Sequence, residues 1–147
     1  MRALTLIGSG LMMCGPLWVL AASTSSVPGE RSLREECSAF SQAGMLVCLA
    51  KKADESDRTL RQAENRVDGM LSQWDEDNQH IGLAKTRLAK SGKEFARYRE
   101  AQCGFSASLT GGGAGNAHEM GRLACVTELN SRRAEQLRDA VVNLPIK

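Results

Sequence analysis

Residues 46–74 read LVCLAKKADESDRTLRQAENRVDGMLSQW. Small or apolar side chains recur at Leu46, Leu49, Ala53, Ser56, Leu60, Ala63, Val67, Met70 and Trp74. They stand alternately three and four apart, the repeat of one face of an α-helix. Between them lie Lys51, Lys52, Asp54, Glu55, Asp57 and Arg58, so one side meets a core and the other meets water. Ala53, Ser56 and Ala63 are small, and a neighbouring helix can approach closely there. Trp74 reads as a terminal core anchor before it reads as a ligand platform. Gly69 weakens the helix by about 1 kcal/mol without breaking it. Upstream, Ser41 is placed to cap the helix N-terminus.

Downstream, the polar run Asp75 to His80 suits a tight helix–helix connection, with Asp77 or Asn78 as the next cap. Ile81, Ala84, Leu88, Ser91, Phe95, Tyr98 and Gln102 then repeat the same spacing. Gly92 within this second helix permits close packing beneath Phe95 or marks a slight bend. The helix is expected to end near Cys103-Gly104, where glycine readily terminates it. Phe105 to Ala117 is glycine-rich and reads as a loop. Asn116 and Glu119 have the spacing of a capping box. A third helix follows, carrying Met120, Leu123, Val126 or Thr127, Asn130, Ala134, Leu137 and Val141, with Pro145 beyond its end. No strand alternation and no internal repeat interrupts this pattern. The fold expected is all-α: a small antiparallel three-helix domain, with room for a short fourth helix near residues 29–38.

The compartment decides how the cysteines are read. After Met1-Arg2, residues 3–21 carry no charged side chain and end in Val19-Leu20-Ala21. Residues 1–21 therefore read as a secretory signal peptide, with Ala22 as the mature start. The apolar run is short for a membrane span and Gly15-Pro16 interrupts it, so no stable span is expected in the mature chain. Met13 is not the small residue that a lipoprotein signal places before its cysteine, so Cys14 leaves with the signal. Residues 22–36 form a polar leader, and 37–144 a single domain. The whole chain has 19 Lys and Arg against 17 Asp and Glu. Loss of Arg2 leaves a charge near +1, with no strong pull on nucleic acid or anionic membrane. The location expected is periplasmic or secreted.

Cys37, Cys48, Cys103 and Cys125 remain. An even count in an exported chain favours two disulfides, and without a close CxxC pair the set does not read as a zinc site. In an antiparallel bundle Cys48, Cys103 and Cys125 fall at one end, and Cys37 can fold back to it. Three pairings are open. Joining elements at that end favours Cys37–Cys103 with Cys48–Cys125. The glycine-rich stretch is then first a stapled connection. It lacks the preceding strand and the Lys-Ser or Lys-Thr of a phosphate loop, although its length suits a binding surface.

Catalytic signals are sparse. His80 and His118 are the only histidines. His118-Glu119 lacks the second histidine of a helical zinc motif, and the paired carboxylates sit on charged helix faces, without the cleft that a glycosidase needs. No catalytic, cofactor-binding or metal residue is assigned, and the chain is not read as an enzyme. Arg99 stands out: beside Tyr98 and one turn before Cys103, it can fix the loop end through a carboxylate or helix C-terminal carbonyls.

These residues together resemble the lysozyme inhibitor LprI-like N-terminal domain family over about Cys37 to Leu137. Cys37 and Cys48 match its first two cysteines. Phe95, Tyr98-Arg99 and Cys103 match its aromatic, aromatic-Arg, cysteine segment. Cys125, Leu129, Arg133-Ala134 and Leu137 match its final pattern. The chain departs from the family at Lys93-Glu94-Phe95, where Gln-Arg and a tryptophan are usual, and at Leu60-Arg61 in place of Leu-Asn. The resemblance implies an exported helical domain with two disulfides. Phe95, Tyr98 and Arg99 become structural or partner-contact residues. The implied function is an exported envelope interaction protein, with lysozyme inhibition as its specific form, whose partner is lysozyme or another envelope protein; the alternative is a structural or accessory periplasmic domain without lysozyme binding. Lysozyme is strongly basic, so acidic patches would help association. Asp54-Glu55, Asp57 and Asp75-Glu76-Asp77 offer them, though ordinary solvated helix surface is the simpler reading.

Overall fold

The computed structural model describes residues 27–111 and 115–147. The expected signal peptide, the start of the leader and the middle of the glycine-rich loop lie outside the described residues. The described residues form four helices: α1 (Glu30–Cys37), α2 (Gln42–Ser72), α3 (Asn78–Ser108) and α4 (Asn116–Ala140).

The whole of the α2 stripe from Leu46 to Trp74 faces inward, and Leu49, Ala53, Ser56, Leu60, Ala63 and Val67 are buried. Its principal neighbour is α4. Leu49 and Ala53 pack with Leu123 and Ala124, while Leu60 through Leu71 pack with Ala134 through Val141. Sequence therefore rises together along the two helices, which run parallel. The intervening α3 is antiparallel to both, with Cys103 meeting Cys125, Arg99 meeting Asn130 and Ser91 meeting Arg133. At the far end the C-terminal tail closes on the α2–α3 turn. Trp74 and Ile146 form an antiparallel bridge, and Asp75 N donates to Pro145 O at 2.9 Å.

The helix starts follow local chemistry. Ser41 Oγ accepts from Gly44 N at 3.3 Å, and Asp77 Oδ1 accepts from His80 N at 2.9 Å. The short fourth helix is present as α1. Leu33 and Cys37 seat it against α2 and α4. It has no cap of its own; Glu30 N donates to Glu128 Oε2 of α4 at 2.7 Å.

Four local expectations are corrected. First, α3 does not stop at Gly104. Buried Cys103 and Ala107 hold its last turns on α4, and tertiary packing outweighs the weak helix preference of one glycine. The chain turns at Gly111, whose φ of +61° is readily adopted only by glycine. Second, Asn116 does not cap α4. Gly115 holds the cap position, and Glu119 is engaged by Arg122 at 2.6 and 2.8 Å, a charge-assisted fork that takes the carboxylate a capping box would use. Third, Tyr98 leaves the buried face and is 54% exposed. A strict three-four alternation drifts by about 20° per heptad on a straight helix; by this point the inward positions are Arg99, Cys103 and Ala107. Fourth, the disulfides are Cys37–Cys48 and Cys103–Cys125, with Cα separations of 5.8 and 5.5 Å. All four cysteines do gather at one end. However, α1 delivers Cys37 through a short turn straight to the start of α2, so each bridge joins consecutive helices.

Candidate partner-binding site

Two apolar clusters occupy the two ends of the bundle, and a polar layer separates them. Asn130, fully buried on α4, accepts from Arg99 Nη1 at 2.6 Å through Oδ1 and donates to Ser56 Oγ at 3.1 Å through Nδ2. Ser56 Oγ in turn donates to Ala53 O at 2.7 Å. Arg99 also reaches Asp57 Oδ1 at 3.4 Å, and Asp57 holds Arg61 with its other oxygen. Three helices are thus tied by one chain of donors and acceptors, each needed because an unpaired buried polar group is costly. The carboxylate that Arg99 reaches is on α2 and not at the loop end, and it is joined to an amide that lies in the apolar stripe of α4. An asparagine in the middle of that stripe was the signal.

Phe95 lies between two guanidinium groups. Arg99 Cζ is 5.9 Å and Arg133 Cζ 5.8 Å from the ring centroid, within cation–π range. Arg133 also donates to Ser91 Oγ at 2.6 Å. Phe95 and Arg99 therefore belong to one assembly, while Tyr98 points away from it into solvent. Alongside runs an open groove of about 480 Å³ between α2 and α3, lined by Asp57, Glu64, Lys85, Phe95 and Arg99 among others. Gly92 makes room for α2 here: a Cβ on it would stand 3.2 Å from Glu64 Oε1. The neighbour at this glycine is the tip of a carboxylate side chain.

Half of the acidic residues in the expected patches are paired, namely Glu55, Asp57 and Asp77. Asp57 serves Arg61 and Arg99, and Glu55 faces Lys51 at 4.0 Å. Asp77 binds His80 through backbone and side chain. The His80 backbone N–H and then its ring hold Asp77 below the usual carboxylate value, and the Asp77 carboxylate raises His80. Glu76, Asp77 and His80 have ligand atoms within 4.8 Å of one another, but all three are exposed and the cap accounts for the contact between Asp77 and His80. On α4, hydrogen bonding from Arg122 lowers the Glu119 pKa, and Glu119 raises that of Arg122. His118 Nε2 lies 2.9 Å from Gly111 O and ties the start of α4 to the end of α3 across the loop.

The cysteine end is the part of this surface richest in exposed apolar side chains. Phe40, Val47, Phe105 and Leu109 stand there beside Tyr98. The family model for lysozyme inhibitor LprI matches residues 35–137, a span that includes all four cysteines, the polar layer and the Phe95–Arg133 assembly. Comparison with curated proteins and with solved structures finds no match. The chain belongs to the LprI family.

Proposed function

We propose that this member of the lysozyme inhibitor LprI family is an exported inhibitor of lysozyme that acts by binding and performs no catalysis. The family match over residues 35–137 carries the reading. Two disulfides support export, because such bonds persist in oxidising compartments, and the uncharged run 3–21 supplies a signal for it. The location proposed is the periplasm or the exterior, with lysozyme as the partner and residues 37–144 as the working domain. Phe95 and Arg99 hold the bundle in shape, and partner contact falls to the surface around them. The second reading, an accessory envelope domain without lysozyme affinity, is favoured by the slightly positive net charge of +2 and the pairing of Glu55 and Asp57, which give a basic enzyme little long-range attraction.

Titration of the mature oxidised protein against animal and bacterial lysozymes, reading binding and cell-wall lysis together, separates the two. Saturable binding with loss of lysis is expected. Unchanged lysis and no binding at high micromolar protein would leave the accessory reading in its place.

A further inference from the structure

Four large apolar side chains of α3 and its C-cap are exposed, Leu83, Tyr98, Phe105 and Leu109, and all but Leu83 line up at the cysteine end. Tyr98, Phe105 and Leu109 are 54%, 59% and 70% exposed, and Ala101 between them is exposed too. At 100° per residue, positions 98, 105 and 109 fall within about 20° of one line along the helix, with 101 beside it. Leu109 continues the line because, as C-cap, it keeps right-handed helical backbone angles. The fold does not need this edge: α3 meets the rest of the bundle through Phe95, Arg99, Cys103 and Ala107.

Charge is missing from the far half of the edge, beyond Arg99 and Glu100, while Arg97 and Arg122 stand to its side near Gly104. Ala101 through Ala117 contains no Asp, Glu, Lys or Arg, in a chain that is 24% charged. Exposed aromatic and aliphatic side chains without charges have the composition of an interface core. The edge is also held rigid from behind by the Cys103–Cys125 disulfide, so little freedom is lost when it docks.

We infer that the α3 edge of Tyr98, Ala101, Phe105 and Leu109 is the lysozyme-contacting surface and that it enters the enzyme's glycan cleft. This rests on the inhibitor reading above. Shape selects the cleft. A single straight helix edge is convex and narrow, and from Tyr98 to Leu109 it rises ~16 Å, suiting a trough that holds an extended glycan. Tyr98 and Phe105 are ~10 Å apart along the axis, close to one disaccharide of such a chain, so two rings can occupy positions of alternate sugars. Charge agrees with this. A glycosidase cleft carries paired carboxylates, and the edge brings no carboxylate towards them. Glu94, the nearest acid along its line, is held by Arg97 at 3.2 Å.

The test compares the oxidised mature protein with a Tyr98→Ala/Phe105→Ala variant and with Val142→Ala, which is 72% exposed at the opposite end. Inhibition of an animal lysozyme is titrated for each, and chitotriose is added as a competitor for the cleft. The edge variant should inhibit roughly 30-fold more weakly or worse, as loss of interface anchors does, with unchanged circular dichroism. Val142→Ala should inhibit like the parent, and chitotriose should displace the parent protein from lysozyme. If the parent inhibits and the edge variant inhibits equally well, the edge is overturned while the inhibitor reading stands. Binding of parent and chitotriose together overturns the cleft. A parent that does not inhibit ends both. Loss of a dimer on mutation, with inhibition intact, reassigns the edge to self-association.

Discussion

Asn130 uses both ends of its amide to hold two helices, accepting from Arg99 and donating to Ser56. Replacing it by alanine leaves the half-buried Arg99 guanidinium with Asp57 alone and the buried Ser56 hydroxyl with Ala53 O alone, and opens a small cavity. Asn130→Ala should lower unfolding free energy by about 3 kcal/mol. Urea denaturation measures this directly, and a loss under about 1 kcal/mol would mean that water or a neighbour replaces the amide easily. Arg99 is bound into the same layer, which explains why an arginine one turn before a cysteine is tolerated at a half-buried position. Phe95 presents its aromatic ring to both Arg99 and Arg133.

Helix α3 shows how packing overrides a local stop. Gly104 sits inside it with open space where a Cβ would go, whereas Gly111, two residues past its C-cap Leu109, takes φ +61°. The two glycines should therefore respond oppositely to alanine. Gly104→Ala should stabilise the protein by about 1 kcal/mol through helix propensity, and Gly111→Ala should destabilise it by about 1 kcal/mol through the left-handed backbone. Thermal unfolding of the two single variants checks the signs. A drop in midpoint for Gly104→Ala would show that the helix does not run through that position. The same run of helix explains why the connection to α4 is short: Phe105 to Ser108, glycine's neighbours in a polar and small-residue stretch, spend themselves on a last turn held by Cys103 and Ala107.

For the molecule as a whole, the two disulfides close short loops, with sequence separations of 11 and 22. Each is expected to contribute about 3 kcal/mol, so Cys103→Ser/Cys125→Ser should unfold at distinctly lower denaturant than the parent. Connectivity has its own check. Trypsin leaves Cys37 and Cys48 within residues 35–51, because no Lys or Arg lies between them, and places Cys103 and Cys125 on residues 100–122 and 123–132. Non-reducing mass spectrometry should find the first bridge inside one peptide and the second joining two. Any link from 35–51 to either of the others would contradict the observed pairing.

The α2 stripe, its cap at Ser41, the turn capped by Asp77 and the gathering of four cysteines at one end were legible in the sequence, because each depends on local spacing or on helix direction. The same sequence carried Phe95 and Arg99 as one motif. What it did not contain was the rotation of α3 about its axis, which takes Tyr98 out to solvent and brings Cys103 and Ala107 in. Nor did it contain the route of α1, which gives Cys37 to Cys48. Those depend on which helix faces meet. Periodicity fixes a face on each helix, but only the packed arrangement of α1, α2 and α3 around α4 decides which residues of that face touch and which cysteine lies within bonding distance of another.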